Sequence, residues 1–188
     1  MKNLKLIALL VIPVLFSTAC DNDDAPVNEE EVITTVRVTL VGGGQTITLE
    51  SKDLDGGDGP NPPELTPIGG ATLVAGTTYT GTTTFLNELT NPVDNITEEV
   101  EEEGAEHQVF YQLQSTLGAI TYNLTDVDVN GKPIGLKFTL VAGSIGNGNL
   151  TVTLRHDLNK SAAGVASGNI ANAGGSTDAA VSFPIVVN

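Results

Sequence analysis

Apolar and polar residues alternate along most of the chain after residue 32. Every second residue from Val36 to Leu40 is apolar, and the residues between them are polar. A period of two is typical of half-buried β-strands. Glycines at 42–44, followed by renewed alternation, predict a β-hairpin over 33–51.

Further short alternating segments follow, about eight or nine strands in all at a spacing of roughly 8–12 residues. The dipeptide Asn130-Gly131 is typical of a two-residue turn and predicts a hairpin between the strands on either side of it. A segment rich in Gly, Ala, Ser and Asn, 161–177, leads into the last strand. The pattern predicts an all-β fold, an immunoglobulin-like or Greek-key antiparallel β-sandwich.

The stretch 92–107 is the one segment with helical character. It offers Asp94 or Asn95 as an N-cap, glutamates in the first turn and Gly104 as a stop. We therefore expect the sandwich to include one short acidic helical segment.

The N-terminus has the features of a secretory signal. Lys2 and Lys5 precede an apolar run of about 11 residues, and small residues then lead to Cys20, the sole cysteine of the chain. The run is too short for a membrane-spanning helix, which needs about 20 apolar residues. The arrangement resembles the lipobox of bacterial lipoproteins, which predicts a signal peptide over 1–19 and acyl chains such as palmitate on Cys20. The alternative is an ordinary signal peptide with an incidental cysteine.

An acidic segment follows Cys20. Residues 20–31 contain six carboxylates and one Val, a composition that predicts a solvated tether. The segment resembles the export signal of Bacteroidota surface lipoproteins, which favours an outer-membrane lipoprotein on the cell surface over one on the periplasmic face. Residues 32–188 would then form a single β-sandwich domain.

The charge of the chain narrows the choice of partners. The net charge is −15, and because residues 1–19 hold two lysines and no acids, it becomes −17 from Cys20 onward. Nucleic acid is disfavoured, since phosphate binding needs clustered Lys and Arg. Cations or a basic protein surface fit better. With Cys20 lipidated, no intrachain disulfide can form, so the fold must depend on its core.

The two histidines of the chain form the first candidate site. By alternation, each lies at a strand end on the core face, with acidic neighbours in sequence. Two imidazoles with carboxylates are typical of zinc- or copper-type sites. The candidate ligands are His107, His156, Glu106, Glu103 and Asp157. The alternative is that the acidic segment is only a solvated connection between strands.

Two acidic loops share features with calcium-binding motifs. Asp53, Asp55 and Asp58 resemble an oxygen-rich calcium loop, but Gly57 breaks the spacing, and a flexible acidic loop is the alternative. The stretch "DVDVNG" at 126–131 matches the start of an EF-hand loop. A lysine stands at its twelfth position, so we interpret it as a hairpin turn.

Catalysis has little support in the sequence. The thiol is assigned to lipid, and no Gly-x-Ser-x-Gly motif is present. No local motif places a serine beside either histidine. We therefore expect a binding protein rather than an enzyme.

Several stretches together carry a resemblance along nearly all of the chain after Cys20, among them "TACDNDDAPVNEEE", "NITEEVEEEGAEHQVFYQ" and "TLRHDLNKSAAGVASGNIANAGG". They are similar to a family of small lipoproteins of marine and soil Bacteroidota, grouped under a type 1 periplasmic binding fold heading and encoded beside TonB-dependent outer-membrane receptors. That heading implies two α/β lobes, whereas the strand pattern favours a sandwich.

The resemblance implies an accessory to a TonB-dependent transporter, and together with the two histidines it favours one that binds a ligand or a metal ion. The alternative function is a structural or adhesive module that binds another protein and no small ligand.

Overall fold

Two β-sheets enclose one apolar core in the computed structural model, which describes residues 31–57, 59–67 and 70–188. The strands of this part are β1 (Thr35–Gly42), β2 (Gln45–Lys52), β3 (Glu64–Thr66), β4 (Ala71–Leu73), β5 (Thr78–Leu86), β6 (His107–Gln112), β7 (Gly118–Tyr122), β8 (Lys137–Ala142), β9 (Gly146–His156) and β10 (Ser176–Val187). One sheet has the order β3-β2-β1-β5-β8-β7, and the other has the order β4-β10-β9-β6.

The predicted all-β sandwich is confirmed. Neighbouring strands are antiparallel except for β4 and β10, which run parallel over three residue pairs. The chain crosses from one sheet to the other five times, after β3, β4, β5, β6 and β8, whereas β1 to β3, β7 and β8, and β9 and β10 stay within one sheet. The described residues contain no βαβ unit, and two α/β lobes are therefore not the architecture of this part of the chain.

Alternation determines which side chains reach the core. The predicted inward residues of β1 and β9 are all buried, and they pack with residues of the facing sheet in one cluster. Full burial of one such aliphatic side chain contributes about 1.5–3 kcal/mol relative to exposure. The largest fully buried aromatic side chains are Tyr79, Phe85, Phe110, Phe138 and Phe183.

The first predicted hairpin is confirmed, since β1 and β2 pair along their whole length. Gly43 and Gly44 form the turn with φ angles of 59° and 75°. Two successive positive φ values suit the right-handed twist of the flanking strands.

The hairpin predicted around Asn130-Gly131 is smaller than expected. Strands β7 and β8 do pair, but a long connection, 123–136, joins them, and the turn closes only an isolated bridge between Val127 and Pro133. Asp128 Oδ1 accepts hydrogen bonds from the backbone N–H groups of Asn130 and Lys132, so side-chain bonds replace strand pairing here.

The predicted helical segment is helix α1 (Ile96–Glu102). Ile96 and Val100 lie one turn apart and are buried, whereas Glu98 and Glu99 occupy the first turn, where negative charge favours the helix dipole. The helix connects β5 of one sheet with β6 of the other, and it ends a few residues before His107.

The glycine-rich segment covers the outer face of edge strand β6. It contains two short 3₁₀ turns, Val165–Ser167 and Ile170–Asn172, and Val165 packs with Phe110 in a small second cluster. Strand β6 is therefore buried on both faces. None of the helices in the described ranges is long and apolar enough to cross a bilayer.

Candidate metal centre

His107 and His156 face each other across the first pair of residues shared by β6 and β9. Their ring centroids are 5.6 Å apart, and the ring planes are inclined by 38°. Their side chains are 2% and 8% exposed. The expected position of both histidines, at strand ends and on the core face, is confirmed.

His107 is held through one ring nitrogen. Its Nδ1 atom lies 3.3 Å from the carbonyl oxygen of Glu103, which can only accept a hydrogen bond, so Nδ1 carries the proton. Its Nε2 atom lies 3.0 Å from Glu31 Oε1. That contact lacks hydrogen-bond geometry, and the buried Nε2 has no hydrogen-bond partner among the described residues. The buried Nε2 atom therefore lies beside a carboxylate oxygen without a hydrogen bond to it.

His156 is held in a similar way. Its Nδ1 atom lies 3.0 Å from Asp178 Oδ1 and 3.2 Å from Ser176 Oγ. Its Nε2 atom lies 3.1 Å from Asp157 Oδ2. The Asp178 side chain is 2% exposed, whereas that of Asp157 is 65% exposed. Metal-ligating histidines commonly donate one ring N–H to a buried carboxylate or carbonyl and bind with the other nitrogen. Here the Nδ1 atoms of both rings lie beside such acceptors.

The electrostatics of the His156–Asp178 pair favour a bound proton. The hydrogen bond to Asp178 raises the pKa of His156, and this effect outweighs burial, which acts in the opposite direction. Burial raises the pKa of Asp178, although its hydrogen bond with His156 opposes the change. Any metal ion at this position would compete with protons.

Two carboxylates of the site, Glu31 and Asp178, were not predicted. Glu31 had been assigned to the solvated tether, but its side chain is only 9% exposed and it packs against His107. Asp178 is the extra residue of a β-bulge, because Thr177 pairs with Arg155 and Ala179 with the next residue, Leu154. Bulges redirect side chains. A single acid inside an otherwise acid-free strand was the one sequence signal available for Asp178.

The possible ligand atoms form two groups that share Glu31. One contains Glu31, Glu103 and His107, and the other contains Glu31, His156 and Asp178; within each group the atoms lie within 4.8 Å of one another. Of the predicted carboxylates, Glu103 thus joins a group, whereas Glu106 and Asp157 join neither. Imidazole nitrogens with carboxylate oxygens match the donor set of zinc, which binds them at about 2.0–2.2 Å.

Lys160 fixes the backbone that carries His107. Its Nζ atom donates to the carbonyl oxygens of Gly104 at 2.6 Å and His107 at 2.9 Å. It also lies 2.9 Å from Asp128 Oδ2. Desolvation lowers the pKa of Lys160, although Asp128 opposes the shift. No local pattern around Lys160 connects it with the histidines.

Two of the three residues of the predicted calcium loop, Asp53 and Asp55, lie in the part of the chain that the structure describes. Asp55 accepts hydrogen bonds from the backbone and side chain of Asn61, which lower its pKa. Neither Asp53 nor Asp55 belongs to a group of three close ligands among the described residues. Asp58 and Cys20 lie outside those residues.

Comparison of the chain with protein-family models, curated proteins and solved structures found no match.

Proposed function

We propose that this protein is an outer-membrane lipoprotein that binds a transition-metal ion and serves as an accessory to a TonB-dependent transporter. The main support is the pairing of His107 with His156 beside the carboxylates of Glu31 and Asp178. The lipobox-like sequence before Cys20 supports the membrane anchor. The resemblance to lipoproteins encoded beside such receptors supports the transporter.

Several properties of the site support a zinc- or copper-type ion rather than calcium. Two imidazoles are available, and such nitrogen donors suit zinc and copper, whereas calcium takes six to eight oxygens. The Nε2 atom of His107 is buried without a hydrogen bond, and bound metal would satisfy it. Glu31 belongs to both groups of close ligand atoms, so it is the carboxylate that we expect to contact the ion.

Native mass spectrometry tests this proposal. Residues 31–188 include both sheets and their shared core, so the fragment 21–188 contains the whole described fold. It would be measured with zinc, copper and calcium in turn. We expect one tightly held zinc or copper ion, and its loss from the double variant His107→Ala/His156→Ala.

A matched pair of acidic variants makes the test specific. Glu31→Gln should weaken zinc binding, because Glu31 belongs to both ligand groups. Glu106→Gln removes a nearby charge that belongs to neither group and should leave binding unchanged. Equal effects of the two variants, or metal retained by the double histidine variant, would contradict a site at this position.

One feature favours the alternative function, a module that binds another protein. Strand β7 lies at the edge of its sheet, and the connection after it exposes Leu124 at 93% and Val129 at 94%. Open strand edges and exposed apolar side chains commonly mark protein contacts. Photocrosslinking from position 124 in cells should then capture one partner, whereas absence of a crosslink would count against this function.

A further inference from the structure

A groove separate from the candidate metal centre lies beside edge strand β7. Its volume is about 510 Å³, and its walls come from β7, the connection 123–136 and the first 3₁₀ turn. None of its lining residues belongs to the two groups of close ligand atoms. Concave, largely apolar sites of about 300–1,000 Å³ are typical of small-molecule binding. The apolar part of the wall of this β7 groove consists of Ile120, Tyr122, Leu124, Val127, Pro133 and Ala166.

Lys132 gives the β7 groove a positive charge. The residues that line the groove include this lysine and no Asp or Glu, although the chain has 23 acidic and only 8 basic residues. Lys132 is partly buried, and its ammonium group has neither an ion pair nor a hydrogen bond among the described residues. The charged groups of the other basic residues in that part of the chain are all engaged, by carboxylates or by backbone carbonyls. These residues are Arg37, Lys52, Lys137, Arg155 and Lys160.

The acidic residues of the connection 123–136 are buried and engaged elsewhere. Asp128 pairs with Lys160 through Oδ2, and its Oδ1 accepts a hydrogen bond from the backbone N–H of Lys132 at 2.9 Å. Asp126 accepts from a backbone N–H of β8. On another wall, the Tyr122 hydroxyl donates to a backbone carbonyl of β6. These bonds fix the walls of the groove and leave the Lys132 ammonium unmatched.

We propose that the β7 groove binds a small amphipathic carboxylate, a monocarboxylate whose charged end meets Lys132 and whose hydrocarbon chain lies along the apolar wall. The hydrogen bond between an ammonium group and a carboxylate is charge-assisted, and it is roughly twice as strong as a neutral one. One lysine balances one negative charge. A phosphate or a polyanion fits less well, because the net charge of −15 repels multiply charged anions. This inference does not depend on the proposed metal function.

The test is a ¹H–¹⁵N NMR titration of the fragment 21–188 with n-octanoate, and with 1-octanol as a neutral ligand of the same chain length. We expect a dissociation constant for octanoate on the order of 1 mM, as is ordinary for a ligand with so few atoms. The shift changes should be centred on residues 120–124, Lys132 and residues 166–167. Octanol can contact the same apolar wall, so the ratio of the two dissociation constants reports the contribution of the charge.

Three variants separate the charge from the apolar wall. Lys132→Met keeps the aliphatic stem and should weaken octanoate binding about fivefold, as expected for one partly exposed ion pair, without changing octanol binding. Lys137→Met removes a charge of β8 that does not line the groove and should change neither affinity. Ala166→Leu fills part of the groove and should weaken both ligands. Unchanged signals outside the groove would show that each variant is folded.

Several outcomes would overturn the proposal. They are equal losses of octanoate binding in the two lysine variants, an equal loss of octanol binding in Lys132→Met, and shift changes centred elsewhere. Absence of shift changes at about 10 mM octanoate, about ten times the expected dissociation constant, would also overturn it. That last result would leave the groove to the protein partner of the alternative function.

Discussion

Lys160 Nζ lies 2.9 Å from Asp128 Oδ2, and the two side chains are only 5% and 1% exposed. This buried ion pair connects the segment after β9 with the long connection between β7 and β8. The same ammonium group holds the carbonyl oxygens of Gly104 and His107. It therefore ties three separate parts of the chain together beside the candidate metal centre.

Replacement of Lys160 by Met should destabilise the fold strongly. It leaves Asp128 buried without its cation and frees two backbone carbonyls, so we expect a loss of about 3–5 kcal/mol in the free energy of unfolding by urea denaturation. The double variant Lys160→Met/Asp128→Asn should recover part of this loss. As a control, Lys137→Met breaks an exposed ion pair with Glu101 and should cost less than about 1 kcal/mol. Similar losses for both lysine variants would contradict this role of Lys160.

The stability of the metal-free protein should fall as pH rises above neutrality. In the folded state, the hydrogen bond to Asp178 raises the pKa of His156 above its unfolded value, near 6.5. The folded state then binds the proton more tightly, so the contribution of His156 is complete below about pH 6.5 and is lost as pH rises through the folded pKa. Thermal melting in EDTA across this range measures the change.

Two variants check the origin of that pH dependence. His156→Asn removes the titrating group, and Asp178→Asn removes the partner that raises its pKa. Each should flatten the profile above pH 6.5 relative to the unmodified chain. A slope that persists in both variants would assign the effect to other groups.

Asp178 and Asp157 both contact His156, but they should differ in their effect on metal affinity. Asp178→Ala removes a buried carboxylate that orients the ring, and losses of this kind weaken metal binding about 10–100-fold. Asp157→Ala removes an exposed carboxylate and should change zinc affinity much less. Competition with a fluorescent zinc chelator measures both, and the reverse order of effects would contradict the assigned roles.

Close packing at Gly81 gives a prediction about the scaffold. A Cβ atom at this position of β5 would overlap the ring of Phe138 on β8. Gly81→Ala should therefore cost about 1–3 kcal/mol in the free energy of unfolding. At Gly57 a Cβ atom would meet nothing within 4 Å, so Gly57→Ala is a matched control with an expected change below about 0.5 kcal/mol. Equal stability of both variants would show that the sheet yields at Gly81.

Local patterns were sufficient to predict most of the scaffold. Alternation depends on residues two apart, and it correctly placed β1, β9 and the inward direction of both histidines. The Asn130-Gly131 signal was also correct locally, since the turn exists. It could not reveal that Asp126 and Asp128 would bind the neighbouring backbone N–H groups and so replace the strands of the hairpin.

The site was only partly predictable because its parts meet through tertiary structure. The pairing of His107 with His156 depends on the order of strands in the sheet, which local patterns do not determine. Glu31 is one of three consecutive glutamates, and composition alone does not distinguish it from the other two. Asp178 reaches His156 through a bulge, and a regular two-residue period would have assigned it a different direction.

Asp178 is the extra residue of a bulge, so deletion of its codon would remove a carboxylate from the candidate site while leaving the β-sandwich intact. On either side of Asp178, strand β10 pairs with consecutive residues of β9, so deletion of this residue would leave an uninterrupted ladder with the same inward-facing side chains. A lineage could thus lose the buried carboxylate, or gain it, through a single in-frame deletion or insertion. The sandwich would persist, and the hydrogen-bond partner of His156 would change.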